Sequence, residues 1–440
     1  MHGSPGRGTL PGMKRVLAAL AALCAFGPAA ANSPPLAVVY VHAGHLIEPG
    51  TGQVLDDQLI RVTNGRVSAV EPWSEPPQGA NVIDWSQQWV LPGLIDAHVH
   101  LADYLQTSNA AEPLLHSAED TAYLGARNAR ATLEAGFTTV HDVGSYRATG
   151  NIALRDAINR GDVPGPRINA VGGYITVPGG GGEVTGLPKG MVVPREMRVG
   201  VARTPAQVTA RVNRMFALGA DSIKLIVTGA VLTEGTEPGQ IELSGPMIAA
   251  AVKAAKAHGS WVTSHAHGAA GIKLAILGSS RGIEHASLID DAGIALAKAR
   301  GTYLVMDVYN GDYIAEVGRR DGWSAAILRK NDETTEQQRQ GFTKAVRAGV
   351  KLVFGTDAGV FPHGTNALQF KYMVRYGMTP LQAIQAATSV AAEFLGWQDR
   401  VGSLTPGHFG DIIALDANPL ADVTALERVS HVIKGGAVVR

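Results

Sequence analysis

The sequence predicts an α/β protein, a (β/α)8 TIM barrel with a small β-sandwich domain built from both chain ends. Three observations predict it. Eight short apolar runs, near residues 93–100, 136–143, 167–174, 221–228, 260–266, 281–287, 301–307 and 351–357, read as strands. Between them, 119–134, 205–219, 245–258, 335–348 and 379–395 carry the mixed apolar and polar spacing of amphipathic helices. Such alternation argues for a parallel sheet, and eight repeats argue for its closure into a barrel. The two chain ends, by contrast, are written in short strands and tight turns.

The elements follow in chain order. Lys14-Arg15 precede the apolar run Val16 to Phe26, then Gly27-Pro28 and Ala29-Ala30-Ala31 before Asn32. Basic, apolar and small segments in that order read as a secretory signal peptide, so residues 1–31 are an upstream extension plus signal, with Met13 the candidate native start. The run is too short for a transmembrane helix, and Leu23 before Cys24 argues against a lipoprotein cleavage site. Cys24 is the only cysteine, so the mature chain has no disulfide or thiol chemistry. Export to a bacterial periplasm is the expectation.

Residues 36–90 hold Val38-Val39-Tyr40-Val41, Leu59-Ile60-Arg61-Val62 and Arg66-Val67-Ser68-Ala69-Val70, with Asn64-Gly65 as a hairpin turn. Residues 401–440 resume that style with Asp411-Ile412-Ile413-Ala414-Leu415 and Val429 to Val439, turning at Gly435-Gly436. Two isolated hairpins cannot bury enough surface to stand alone. The ends are therefore expected to join as one domain beside a barrel spanning 91–400. Within the barrel, Ser244 is the expected N-cap of the helix that runs to His258-Gly259. With 38 basic and 38 acidic residues, the formal net charge of zero gives no electrostatic case for nucleic acid binding.

Chemistry concentrates at the strand ends. In Leu94-Ile95-Asp96-Ala97-His98-Val99-His100 two imidazoles stand at i and i+2, so on a strand both point to one face, like half of a metal site. Lys224, His265 with His267, His285 and Asp357 each sit at the end of a further apolar run. These are the C-terminal ends of strands one, four, five, six and eight, where barrel enzymes place their chemistry. Singly, Lys224 could snorkel to solvent and Asp357 could cap the next helix. As an ordered set, chance is a poor account of them.

The series resembles the amidohydrolase superfamily, in particular its imidazolonepropionase-like members, which include Xaa-Pro dipeptidases and ochratoxin-hydrolysing amidases. The matching stretches are Leu91 to His100, Gly219 to Lys224, His265-Ala266-His267-Gly268, Ile283-Glu284-His285, Gly355-Thr356-Asp357-Ala358-Gly359, Gly402 to Gly407, Asp411 and Asn418-Pro419-Leu420. The resemblance implies two divalent metal ions, with His98, His100 and Asp357 on one and His265 and His285 on the other. It also implies a Lys224 carboxylated by CO2, whose carbamate bridges them. Imidazole and carboxylate ligands suit Zn²⁺ best, and Mn²⁺ or Co²⁺ could substitute. Burial among Ile223, Leu225, Ile226 and Val227 would depress the amine pKa and expose the neutral nucleophile that CO2 needs.

Two such ions, about 3.5–4 Å apart, would make hydroxide from a bridging water to attack a polarised carbonyl. Asp357 would take the water's proton and pass it to the leaving nitrogen. His267 is assigned to the substrate oxyanion or to orienting the metal shell. His267, Tyr309, His363 and Arg195 are the candidate substrate contacts. The long connection 175–203, with Gly179 to Gly182, is expected to be a mobile lid, and Arg195, Arg198 and Arg203 could grip a substrate carboxylate.

The implied reaction is hydrolysis of an exocyclic amide between an acyl group and an amino acid: Xaa-Pro and similar dipeptides, N-acyl amino acids, or ochratoxin-like aryl amides. Competing readings are a cyclic-amide hydrolase of the imidazolonepropionase type, a non-catalytic barrel plugged by its metals, and a phosphoesterase, which no phosphate-binding loop supports. Two features depart from the pattern: Gly179 to Gly182 replace a loop histidine found in many relatives, and His141 stands where arginine is common. The expected partner is a small-molecule amide or dipeptide, with no membrane span after signal removal and, on family grounds, a homo-oligomer.

Overall fold

Strands from both ends of the chain meet in one sheet, and eight short parallel strands lie between them in sequence. The computed structural model describes residues 1–3, 37–105 and 107–440, so the expected signal peptide and Cys24 lie outside the described residues. The chain divides into Met1–Leu36 and Ala37–Arg440, and every described helix and strand belongs to the second unit. No described helix is long and apolar enough to cross a membrane.

The first four strands are β1 (Val38–Glu48), β2 (Gln53–Thr63), β3 (Arg66–Pro72) and β4 (Val82–Pro92). Then come β5 (Leu94–Val99), β6 (Phe137–Asp142), β7 (Arg167–Ala170), β8 (Ile223–Ile226), β9 (Val262–Gly268), β10 (Gly282–Leu288), β11 (Tyr303–Val305) and β12 (Leu352–Val353). The last are β13 (Ile412–Leu415), β14 (His431–Lys434) and β15 (Ala437–Val438).

Strands β5 to β12 fall on the eight expected runs and pair in parallel. They form two arcs, β5-β6-β7 and β8-β9-β10-β11-β12. Parallel bridges Ile175–Leu225 and Val99–Ala358 join the arcs at both gaps. The Ile175 N–H donates to the Lys224 carbonyl at 3.0 Å and the Ala97 N–H to the Phe354 carbonyl at 2.9 Å. Every residue of β5, β6, β8 and β9 is buried, as strands covered on both faces require. Phe354 packs between Phe137 and Phe370, with ring centroids 5.5 and 4.3 Å away. Each such ring stabilises the core by about 1.5–3 kcal/mol.

The helices answer the predicted spacing with two exceptions. The stretch 379–395 is two helices, Pro380–Ala386 and Ser389–Leu395, because the Thr388 backbone leaves the helical region at φ −139, ψ −97 while its hydroxyl bonds back to the Ile384 carbonyl. The helix expected at 335–348 begins earlier, as Ala325–Ala348, capped by the Ser324 side chain. Ser244 does precede the helix Gly245–Ala257, but its hydroxyl makes no cap hydrogen bond.

The expected sandwich is instead one continuous seven-stranded sheet, in the order β15-β14-β13-β4-β1-β2-β3. The reason is β4, which pairs with β1 on one side and β13 on the other, so among the described residues the strands from the two chain ends stay in a single sheet. The sheet curls: Val67 of β3 and Ile433 of β14, near its opposite edges, share one apolar cluster with Val41, Ile60 and Trp85. An ion pair joins this sheet to the parallel strands. Arg167, at the start of β7, donates from Nε and Nη2 to the two Asp411 oxygens at 2.8 and 3.0 Å. Its guanidinium lies 3.4 Å from the Phe409 ring centroid.

Candidate active site

The carboxyl ends of β5, β8, β9 and β10, with the segment after β12, converge on one cleft. His98, Lys224, His265, His267, His285 and Asp357 are all buried and all line it, together with the less buried His100. Close packing there depends on glycine. At Gly359, φ is +120 and a Cβ would stand 2.7 Å from the His100 Cβ. His285 and Asp357 themselves hold positive φ, 66 and 60, a conformation that costs side-chain-bearing residues energy and clusters at functional sites.

Most of the imidazoles are oriented from behind. His98 Nδ1 donates to Glu284 Oε2 at 2.7 Å, His100 Nδ1 to the Gly144 carbonyl at 2.7 Å, and His285 Nδ1 to both Asp307 oxygens at 3.1 Å. Each bond places a proton on Nδ1 and turns Nε2 toward the cleft. The Nε2 atoms of His98 and His100 meet at one point: Asp357 Oδ1 lies 3.3 and 3.2 Å from them. His267 Nδ1 hydrogen-bonds with Ser287 Oγ at 2.8 Å, and His265 Nε2 faces the Gly229 carbonyl at 3.3 Å.

Electrostatics prepare these groups unequally. Burial, helped by the neighbouring imidazoles, holds His265 and His267 well below the ordinary histidine value, and therefore neutral. Burial and Lys224 push His98 down, but the Glu284 and Asp357 carboxylates outweigh them and hold it up at about 9. The same carboxylates that favour a proton on His98 would favour a metal cation in its place. Burial opposes ionisation of Asp357, yet His98 and His100 keep its carboxyl well below the usual range. Burial pushes the Lys224 amine down against the pull of Glu284, Asp357 and Asp307. That amine makes no hydrogen bond or ion pair among the described residues.

The donor set suits a metal. His265, His267 and His285 form one group, and His98, His285 and Asp357 another, with the ligand atoms of each within 4.8 Å of one another. His267 thus stands among the possible ligands, and His285 belongs to both groups. An unpartnered buried amine beside neutral imidazoles and an ionised carboxylate fits a cationic centre needing one more ligand.

The cleft is open to solvent and has a cavity volume of about 160 Å³. Ile226, Ala230, Val231, Leu232, Ile314 and Val360 form an apolar wall, and Tyr104, Tyr146 and Tyr174 an aromatic one. Three expected substrate contacts lie elsewhere. Tyr309 precedes the helix Asn310–Asp321 and turns its ring toward Phe361 and Tyr372. His363 is held by Thr132 Oγ1 and the His100 carbonyl, behind the site. Arg195 is exposed on the turn Arg195–Met197, while Arg198 pairs with Glu183. No guanidinium lines the cleft among the described residues. The glycine-rich loop does reach it through Gly181 and Gly182, and the Gly181 N–H is pinned to both Glu242 oxygens at 3.1 and 2.9 Å.

Sequence reasoning missed Glu284, Asp307, Asn310 and Gln338, which hold the imidazoles and Asp357 from outside. The available signal was the charge itself: Glu284 and Asp307 are acidic residues inside otherwise apolar runs.

Comparison with known proteins agrees with this geometry. A model of the Amidohydrolase family matches residues 89–439. Ochratoxinase from Aspergillus niger is 29% identical over 443 residues, spanning 92% of this chain and 87% of its own. Imidazolonepropionase from Chromobacterium violaceum is 25% identical over 387 residues, spanning 82% and 86%. Among solved structures, a Xaa-Pro dipeptidase with methionine bound in its active site is similar at a TM-score of 0.85 and 36% identity, over 91% of this chain and 99% of that one. The A. niger ochratoxinase structure is similar at 0.79 and 27%, over 92% and 96%. The chain belongs to the amidohydrolase family and is a metal-dependent hydrolase of amide bonds.

Proposed function

We propose that the substrate is an exocyclic amide joining an acyl group to an amino acid, such as an Xaa-Pro dipeptide, an N-acyl amino acid or an ochratoxin-like aryl amide. The observation that carries this is the convergence of His98 Nε2, His100 Nε2 and Asp357 Oδ1, beside an unpartnered buried lysine, in a cleft with apolar and aromatic walls. On this reading His98, His100 and Asp357 would hold one divalent ion and His265 and His285 a second, with a carboxylated Lys224 as a further anionic ligand. Zn²⁺ suits that set best. Bound there, the ions would lower the pKa of a water and polarise the substrate carbonyl.

The chain's own residues do the rest. Asp357 is kept ionised and takes the proton of the attacking water, then returns it to the leaving nitrogen, which is a poor leaving group until protonated. His267 faces the same space and is the donor assigned to the developing oxyanion. Ala230, Val231, Leu232 and Ile314 exclude water from the acyl group. The proposal includes closure of the two strand arcs into one eight-stranded barrel over 91–400, supported by the bridges at both gaps. It also includes a β-domain made of 36–90 and 401–440, and export to a periplasm by the 1–31 segment.

The test is release of free amino acid from Xaa-Pro dipeptides, N-acyl phenylalanines and ochratoxin A, with protein prepared in zinc and bicarbonate and Lys224→Ala as control. Release by the native protein alone is expected. Silence across the panel with two metals bound per chain would sink the assignment and favour a cyclic amide, whose ring opening frees no amino acid.

A further inference from the structure

Asn310 occupies an unusual place in this site. It is the first residue of the helix Asn310–Asp321, is 5% exposed, and lines the cleft. Its Nδ2 donates to Asp307 Oδ2 and to Asp357 Oδ2, both at 3.1 Å. Two carboxylates facing one amide leave no choice of orientation, because the reverse would set a carbonyl oxygen against both of them. The carbonyl Oδ1 is therefore turned away, buried and without a hydrogen-bond partner among the described residues. An unpaired buried acceptor costs free energy that stability alone gives no reason to accept.

The bonds around Asn310 form a chain across the site. Asp307 accepts from His285 Nδ1 and, at 2.8 Å, from Gln338 Nε2. Asn310 then links Asp307 to Asp357, whose other oxygen faces His98 and His100. Asp357 sits on a strained backbone, and among the described residues no other side chain donates to its Oδ2. The helix start that carries Asn310 is itself anchored. Gln369 Oε1 accepts from the Tyr309 N–H at 3.0 Å, and Asn331 Nδ2 donates to the Gly311 carbonyl at 2.9 Å.

We infer that Asn310 is a positioning residue: by giving both amide hydrogens to Asp307 and Asp357, it sets the rotation of the Asp357 carboxylate and ties it to the His285–Asp307 pair. Oδ1 of Asp357 then points at the two imidazoles. This rests on the amide-hydrolase reading above, in which Asp357 moves the proton.

The experiment compares the native protein with Asn310→Ala, Asn310→Asp and Asn310→Ser, each loaded with Co²⁺ and assayed for cobalt content, visible absorption, kcat and KM. Asn310→Asp keeps the shape and loses the donors; Asn310→Ser keeps one donor and serves if the other two do not fold. Outer hydrogen bonds of this kind carry about 10–100-fold in activity. The expected result is a kcat fall in that range with KM within about threefold, and altered cobalt bands at equal cobalt content. Native kcat and bands in Asn310→Asp would overturn the inference, as would a kcat loss matched by loss of cobalt. If the native protein cleaves no amide at all, the amide-hydrolase reading fails. The cobalt bands then decide the role of Asn310 by themselves: moved bands uphold it and unchanged bands overturn it.

Discussion

The two ends of the parallel strands treat buried charge in opposite ways. Before β7, the Asp411 carboxylate is closed off: Arg167 meets both oxygens, and the Gly435 N–H adds a bond at 2.7 Å. In β8 the Lys224 amine feels Glu284, Asp357 and Asp307 but makes no hydrogen bond among the described residues, and after β12 Asp357 shares one oxygen between two imidazoles. A closed pair lets the β-sheet dock without stranded charge, since an unpaired buried ion is costly. An open cluster of donors in a cleft is poised for something the chain must bring in. The comparison separates residues held for stability from residues held for chemistry, although both are buried and charged.

The largest effect that would break this contrast lies at the cleft. Asp357→Asn should cost at least about 1000-fold in kcat/KM, since it removes the proposed proton carrier and an anionic ligand. Its melting temperature should stay within a few degrees of the native value. A large loss of stability with modest loss of rate would place Asp357 with the structural pairs instead.

Asp411→Ala tests the other end. It leaves Arg167 half-buried without its carboxylate, so urea unfolding should report a loss of about 2–4 kcal/mol. The kcat of the folded fraction should not change. Altered kcat at native stability would show that the junction reaches the chemistry.

The smallest effect is in the pH dependence beside that junction. Burial, then the neighbouring Arg167, pushes the Lys434 amine down to about 8. Between about 8 and about 10.4 the folded chain has released this proton while the unfolded chain still holds it. The unfolded state binds more protons there, so this group makes stability rise with pH across that window. Lys434→Met removes that rise. The native urea midpoint should therefore climb relative to the variant from pH 7 to pH 9.5. A constant gap would mean that Lys434 titrates alike in both states.

Several features were legible because they are local. The eight strands could be read since a strand covered on both faces is rich in apolar residues, and β5 and β6, though they carry Asp96, His98, His141 and Asp142, are buried throughout. The cleft residues could be read because each ends such a run. The break at Thr388 could not, because one residue's backbone departure leaves the apolar spacing of 379–395 intact. Tyr309, His363 and Arg195 went astray for a related reason. Lying in a loop near a ligand says nothing about which way a side chain turns, and packing against Phe361 and Tyr372 decided the matter for Tyr309.

By itself, the sequence determined the alternation of strands and helices, the chemistry at strand ends, and the family, because these follow from periodicity and spacing within short stretches. Only the tertiary structure decided the partners. His98 meets Glu284 across 186 positions, and Asn310 reaches both Asp307 and Asp357. One curled sheet replaced the sandwich because β4 has two open edges, and β1 and β13 take one each. Such pairings depend on which distant strands come to lie side by side, and no local propensity carries that information.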